Sequence, residues 1–221
     1  MDLLEAIEKR HAVRAYQNRE IEKTAAEDLS KLIAECNKAS GLNMQLVLNE
    51  PKSFGGFLSK YGKFSNVTNY IAMVGKKDAK LDELCGYYGE KVVLRAQQLG
   101  LNTCWVGLTY SKIKSAFEIR EGETLCLVIA IGYGATQGVK HKTKRPEQVS
   151  KVHGEAPDWF KKGVEAALLA PTALNQQKFL FTLDGNTVTA KAGFGSYSKV
   201  DLGIAKCHFE IAAGKENFVW G

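Results

Sequence analysis

The sequence predicts an α+β fold in which helices cover a mostly antiparallel sheet. Amphipathic helical stripes alternate with short apolar runs along the chain. A hairpin is legible in Phe179–Leu183, the turn Asp184-Gly185-Asn186 and Thr187–Ala190. Composition is that of an ordinary globular chain: 221 residues, 45% hydrophobic and 24% charged, enough to bury a substantial core.

In chain order, Leu3, Leu4 and Ile7 give residues 2–10 an apolar stripe, with Asp2 placed to cap it. A second helix is expected from Thr24, where Thr24-x-x-Glu27 reads as a capping box and Leu29, Leu32, Ile33 and Cys36 face inward. A short strand at Leu46–Leu48, a Gly-rich loop over Ser53–Asn66 and a strand at Tyr70–Val74 follow. A long helix fills 80–99 and stops at Gly100, a residue suited to the left-handed turn past a helix end. Strands are expected near Thr103–Val106 and Leu125–Tyr133. Residues 134–155 read as a linker. Pro157 suits the first turn of another helix, and after the hairpin come a helix over Asp201–Ala213 and a terminal strand at Phe218–Trp220.

Charge and cysteines narrow the class. The net charge of +6 favours anionic ligands but falls short of a dedicated nucleic-acid binder. Five cysteines, an odd number with no C-x-x-C, read as buried thiols in a reducing cytoplasm. The N-terminus is not a signal peptide, and no apolar run approaches the roughly 18 residues of a membrane span. The four histidines have no ligand spacing with each other or with cysteine, which argues against a metal. No P-loop, G-x-S-x-G or post-strand G-x-G-x-x-G is present.

Four segments could carry chemistry. Arg10 and Arg14, on either side of His11, are four apart, so on a continuing helix they share a face and make an anion clamp. From spacing alone a solvated helix end accounts for them better. Lys140-His141-Lys142-Thr143-Lys144-Arg145 is the densest positive run; it suits an exposed linker, a phosphate partner or, less well, a nucleic-acid patch. Gly100–Gly107 ends a helix, forms a strand and reaches a glycine that permits close backbone approach. Ala170-Pro171-Thr172-Ala173-Leu174-Asn175-Gln176-Gln177 could hydrogen-bond a flat heteroaromatic edge or simply join helix to strand. Its last six residues echo Ser40-Gly41-Leu42-Asn43-Met44-Gln45, each copy lying between a helix and a strand, which suggests a divergent internal duplication.

In this order the segments resemble the FMN-dependent nitroreductase family, and more closely its TM nitroreductase branch, over nearly the whole chain. The similarity is carried by Arg10–Arg14, by Gly86-Tyr87-Tyr88-Gly89-Glu90 with Leu99–Gly107, by Ala130–Tyr133 ahead of Lys142–Pro146, and by Ala170–Gln177. The resemblance implies an FMN-dependent NAD(P)H oxidoreductase, a cytoplasmic flavoprotein moving hydride from NADH or NADPH to a small electron-poor acceptor such as a nitroaromatic or quinone. Arg10, Arg14 and Lys144 or Arg145 would hold the phosphate and ribityl chain, with His11 in the same region. Val106 and Gly107 would lie near the flavin N5, and Pro171, Thr172 and Asn175 would meet the ring. No side chain is implied as an obligatory acid or base.

The ring-contacting loop comes later in this chain than the family pattern puts it. Duplication repairs this: residues 1–140 form a first nitroreductase-like half with the Arg-rich segment, and 141–221 a shorter second half with the loop, together one compact unit that mimics the family dimer. Val149–Asp158 lacks an Arg pair, and Ala39 stands where the second copy has Pro171. One FMN per chain and a monomer, in preference to a homodimer, are therefore expected, with no nucleic-acid or membrane partner. The alternatives are a non-catalytic FMN-binding sensor or store, or a basic nucleic-acid-binding module.

Overall fold

Tyr70–Lys76 (β2) and Glu123–Gly132 (β4) carry the most continuous apolar runs, and they pair antiparallel at the centre of a four-stranded sheet. Gln45–Val47 (β1) and Asn102–Val106 (β3) flank them in the order β1-β2-β4-β3, all antiparallel. Tyr70, Ile71, Met73 and Ile129 are fully buried, as a sheet covered on both faces requires. In the computed structural model, which describes residues 1–221, this sheet belongs to a unit formed by Arg10–Leu81 and Val92–Val139.

That unit also contains a helix at Lys23–Ser40 (α2) and a short one at Phe57–Tyr61 (α3), so the segment 53–66 is not wholly a loop. Leu29, Ile33 and Cys36 of α2 are buried as the stripe predicts, while Leu32 is half-buried. The expected capping box does not form. The helix begins one residue before Thr24, placing that hydroxyl inside the first turn, and Glu22 occupies the cap with no side-chain bond. Leu81–Gln98 (α4) contributes residues to both units and ends, as expected, ahead of Gly100, whose φ of +77° is left-handed.

The other unit comprises Met1–Lys9, Asp82–Lys91 and Lys140–Gly221. Its sheet runs Ser150–His153 (β5), Phe179–Asp184 (β6), Thr187–Ala192 (β7) and Val219–Trp220 (β8), with only the hairpin β6-β7 antiparallel. Strand β5 and a 3-10 turn at Pro146–Gln148 occupy the segment read as a linker. Its polar, lysine-bearing sequence hides a strand that needs only one bonded edge. Leu3–Lys9 (α1) is capped by Asp2, whose Oδ1 accepts from the Glu5 N–H at 2.8 Å. Ile7 and Ala6 are buried there, but Leu3 and Leu4 are exposed.

Helix Ser198–Ala213 (α6) packs on this sheet, and Asp158–Leu168 (α5) packs against α6. Pro157 sits at the cap of α5, one residue before the helix proper. The core here is aromatic: Phe181 of β6 stacks on Phe209 of α6 at 4.7 Å, and Phe160, Phe218 and Trp220 close around them. Helices α4 and α6 meet at paired glycines. A Cβ on Gly86 would fall on the Val200 carbonyl oxygen, and one on Gly203 on the Glu83 carbonyl oxygen. In each helix the oxygen lies three residues before the glycine, so the contact is reciprocal, as in a two-fold interface. No helix is long and apolar enough to cross a membrane.

Candidate functional site

The segment Arg10–Arg14 is not helical, contrary to the spacing argument, because α1 stops at Lys9. Tertiary partners capture the backbone instead. The Val13 N–H donates to the Thr103 carbonyl at 3.1 Å, and Ala12 pairs in parallel with Thr103 of β3. Ala15 then pairs with Ser65 and Tyr16 with Gly134. Gly138, at φ +73°, backs the segment so closely that a Cβ there would press on His11 Cβ and the Ala12 oxygen.

Ala12 and Val13, between His11 and Arg14, thus pair with the strand that leads through Val106 to Gly107, while the Arg14 carbonyl accepts the Ser65 N–H at 3.0 Å. Arg10 is buried, His11 half-buried and Arg14 exposed, with the Arg14 guanidinium 5.9 Å from the Phe64 ring centroid. Both guanidiniums act on the Cys104 thiol. Burial pushes that thiol up, and the two positive charges pull it partly back, Arg14 more than Arg10. The two arginines therefore share an electrostatic neighbourhood without sharing a helix face.

The remaining candidates lie in the other unit. After α5 the chain turns at Pro171 into Thr172–Gln177, where Leu174, Asn175 and Gln177 have φ of 52°, 53° and 45°. Left-handed backbone at three non-glycine residues is strained and persists only when the surroundings fix it. Gln177, buried, supplies much of that. Its N–H donates to Thr172 Oγ1 at 3.1 Å, its Nε2 donates to Asn175 Oδ1 and to the Lys142 carbonyl at 2.8 Å each, and its Oε1 accepts the Lys144 N–H at 2.8 Å. The Lys144 ammonium donates to the Gln177 carbonyl at 2.9 Å, and Asn175 Nδ2 to the Lys142 carbonyl at 2.9 Å.

The basic run and the Pro171–Gln177 loop, far apart in sequence, are therefore one structure. Lys144 and Asn175 spend their side chains shaping it, while Arg145 stays exposed and bonds through its N–H to Gln148 Oε1. The earlier echo has a related local geometry. Gln45 accepts the Glu118 N–H with its Oε1 and donates its Nε2 to the Glu118 carbonyl, so each glutamine grips the backbone of a distant segment. The leucines differ: Leu42 is buried, but Leu174 is fully exposed.

Sequence reasoning missed Asp201. It lies in the first turn of α6, nearly inaccessible, and its Oδ1 accepts the Ala173 N–H at 2.9 Å while its Oδ2 accepts Gln176 Nε2 at 2.7 Å. Burial pushes its carboxyl up to about 6, and the two hydrogen bonds only partly offset that. As a single acid in an amphipathic helix, it carries no signal that separates it from a surface residue.

A mixed α+β chain with these layers has the nitroreductase architecture. The family model described as "Putative TM nitroreductase" matches residues 2–213, and the chain belongs to that family of oxidoreductases. Among solved structures, one titled a "putative nitroreductase" of Thermotoga maritima is similar at 24% identity and TM-score 0.68, covering 98% of this chain and 85% of that one. One from Parabacteroides distasonis, titled a "Putative NADH dehydrogenase/NAD(P)H nitroreductase", is similar at 16% identity and TM-score 0.52, covering 70% of this chain and 98% of that one. The NfrA1 nitroreductase of Bacillus subtilis matches at 11% identity and TM-score 0.51, over 66% and 72% of the two chains. No curated protein matches the chain.

Proposed function

We propose that the chain binds one FMN and acts as an NAD(P)H oxidoreductase on a small electron-poor acceptor, a nitroaromatic or a quinone. The observation that carries this reading is the loop Thr172–Gln177, strained at three non-glycine residues and caged by Gln177 and the basic run. Backbone strain of this kind clusters at ligand clamps. Family membership and the Arg10 and Arg14 guanidiniums, which suit a phosphate, support it.

The donors fit the group. Arg10 and Arg14, which act together on Cys104, supply the paired guanidiniums that suit a phosphate. Val106 and Gly107 offer strand-end backbone, and Gly107 has no side chain to hinder a flat ring near its reactive edge. Pro171 and Thr172 open the loop, and the Thr172 hydroxyl keeps its proton for donation while its oxygen accepts from Gln177. Lys144 and Asn175 act by holding the loop; Arg145 follows Lys144 in the same basic run, and His11 lies between Arg10 and Arg14.

Bound FMN would supply the two-electron chemistry, taking hydride from the nicotinamide and yielding it to the acceptor. The chain's own residues then bind and orient; none is assigned as an obligatory acid or base. Nicotinamide and acceptor would use one site in turn, which gives ping-pong kinetics. The reciprocal glycine contact of α4 and α6 and the matching grips of Gln45 and Gln177 support an internal duplication, with halves meeting near residue 140, and a monomer. Stopped-flow mixing of the flavin-loaded protein with NADH or NADPH tests the enzymatic reading. Bleaching within seconds is expected; flavin that stays oxidised would make the protein a store or sensor.

A further inference from the structure

We propose that Asp201 is a positioning residue, holding the Thr172–Gln177 loop in the conformation that receives the flavin ring; this rests on the FMN reading above. Three features point to it. Asp201 grips the loop at both ends of its 3-10 turn, taking the Ala173 N–H at 2.9 Å and Gln176 Nε2 at 2.7 Å. Between those two contacts lie Leu174 and Asn175 in left-handed backbone, and Leu174 is held fully exposed. A buried carboxylate and an exposed leucine are both unfavourable in an isolated loop, and together they describe a loop shaped for something outside itself.

The site demands an acceptor at both oxygens. Gln176 Nε2 uses its second proton on the Ser196 carbonyl at 2.9 Å, so turning the amide over would set Oε1 against that carbonyl. An asparagine at 201 could keep the Ala173 bond, but its amide would face Gln176 Nε2, donor against donor. Gln176 and Ser196 also join the loop to the segment Gly193–Tyr197, where the Lys178 ammonium donates to the Phe194 carbonyl at 2.9 Å. Loosening one bond at Asp201 therefore frees a pair of neighbouring segments. The carboxyl, raised to about 6 by burial, is carried ionised at neutral pH at a cost to folding, and the two loop bonds only partly offset it.

The test is fluorescence titration of flavin-free protein with FMN and with riboflavin, for wild type, Asp201→Asn and Gln176→Ala. Ring positioning predicts that both substitutions weaken both flavins by the same factor, about tenfold for Asp201→Asn, because the phosphate contacts are untouched. Hydrogen exchange at the Ala173 amide should quicken in the Asn variant, because a bond kept to a neutral amide oxygen is weaker than one to a carboxylate, while unfolding stays cooperative. Wild-type affinity for both flavins in either folded variant would overturn the proposal, as would a loss confined to FMN. If Asp201→Asn fails to fold, Gln176→Ala decides by the same criteria. Wild-type protein that binds neither flavin is a separate result, which overturns the FMN reading and this proposal with it.

Discussion

His208 Nε2 lies 2.9 Å from Glu90 Oε1, with both side chains fully buried where α4 meets α6. His208 Nδ1 faces the Ala166 carbonyl at 3.1 Å and so carries a proton. Nε2 and the Glu90 carboxyl therefore meet in a hydrogen-bond contact shut away from water. His208→Leu leaves a buried carboxyl without this partner and should cost about 3–5 kcal/mol in urea unfolding. Adding Glu90→Leu should recover most of that, since the Ala166 oxygen keeps the Leu169 N–H at 3.0 Å. A double variant no better than the single one would mean that the pair contributes net stability.

Arg14→Ala should weaken FMN more than riboflavin. A hydrogen bond between charged partners is worth about 1.5–3 kcal/mol, roughly 10- to 100-fold in affinity. Equal loss of both flavins would assign Arg14 to structure, through its contact with the Phe64 ring.

Asp201 sets a pH dependence whose sign follows from its raised carboxyl. A group protonated more readily in the folded state stabilises fully below its unfolded value of 3.8, and that contribution is lost as pH rises through about 6. Asp201→Asn does not titrate. Its stability relative to wild type should therefore improve by about 2 kcal/mol between pH 4 and pH 7, whatever the offset at one pH. Parallel urea midpoints across that range would show that the carboxyl is not buried as described.

Much of the architecture could be read from local signals. The stripe of Leu29, Ile33 and Cys36, the stop at Gly100 and the Asp184–Asn186 turn are set by residues close in sequence, and they form where expected. Misreadings arose where distant partners decide. Arg10–Arg14 leaves the helix because Thr103 offers its carbonyl to Val13, and β5 exists because β6 supplies an edge to a polar segment. The candidate site divides the same way. The Pro171–Gln177 motif is visible as a sequence, but Asp201 gains its meaning only when α6 folds beneath Ala173.

A mixing experiment tests the single-chain arrangement. An Arg10→Ala/Arg14→Ala variant and a Thr172→Ala/Asn175→Ala variant should each bind FMN poorly, and their mixture should stay poor. Recovery on mixing would show that sites form between chains. It would also replace the duplicated monomer with a homodimer.

The central claim is tested most directly by equilibrium dialysis of the purified, flavin-free protein against FMN at micromolar concentrations, with the visible spectrum recorded. One FMN retained per chain, with the yellow absorption of oxidised flavin, is the predicted result. A colourless protein that retains no FMN at those concentrations would contradict it.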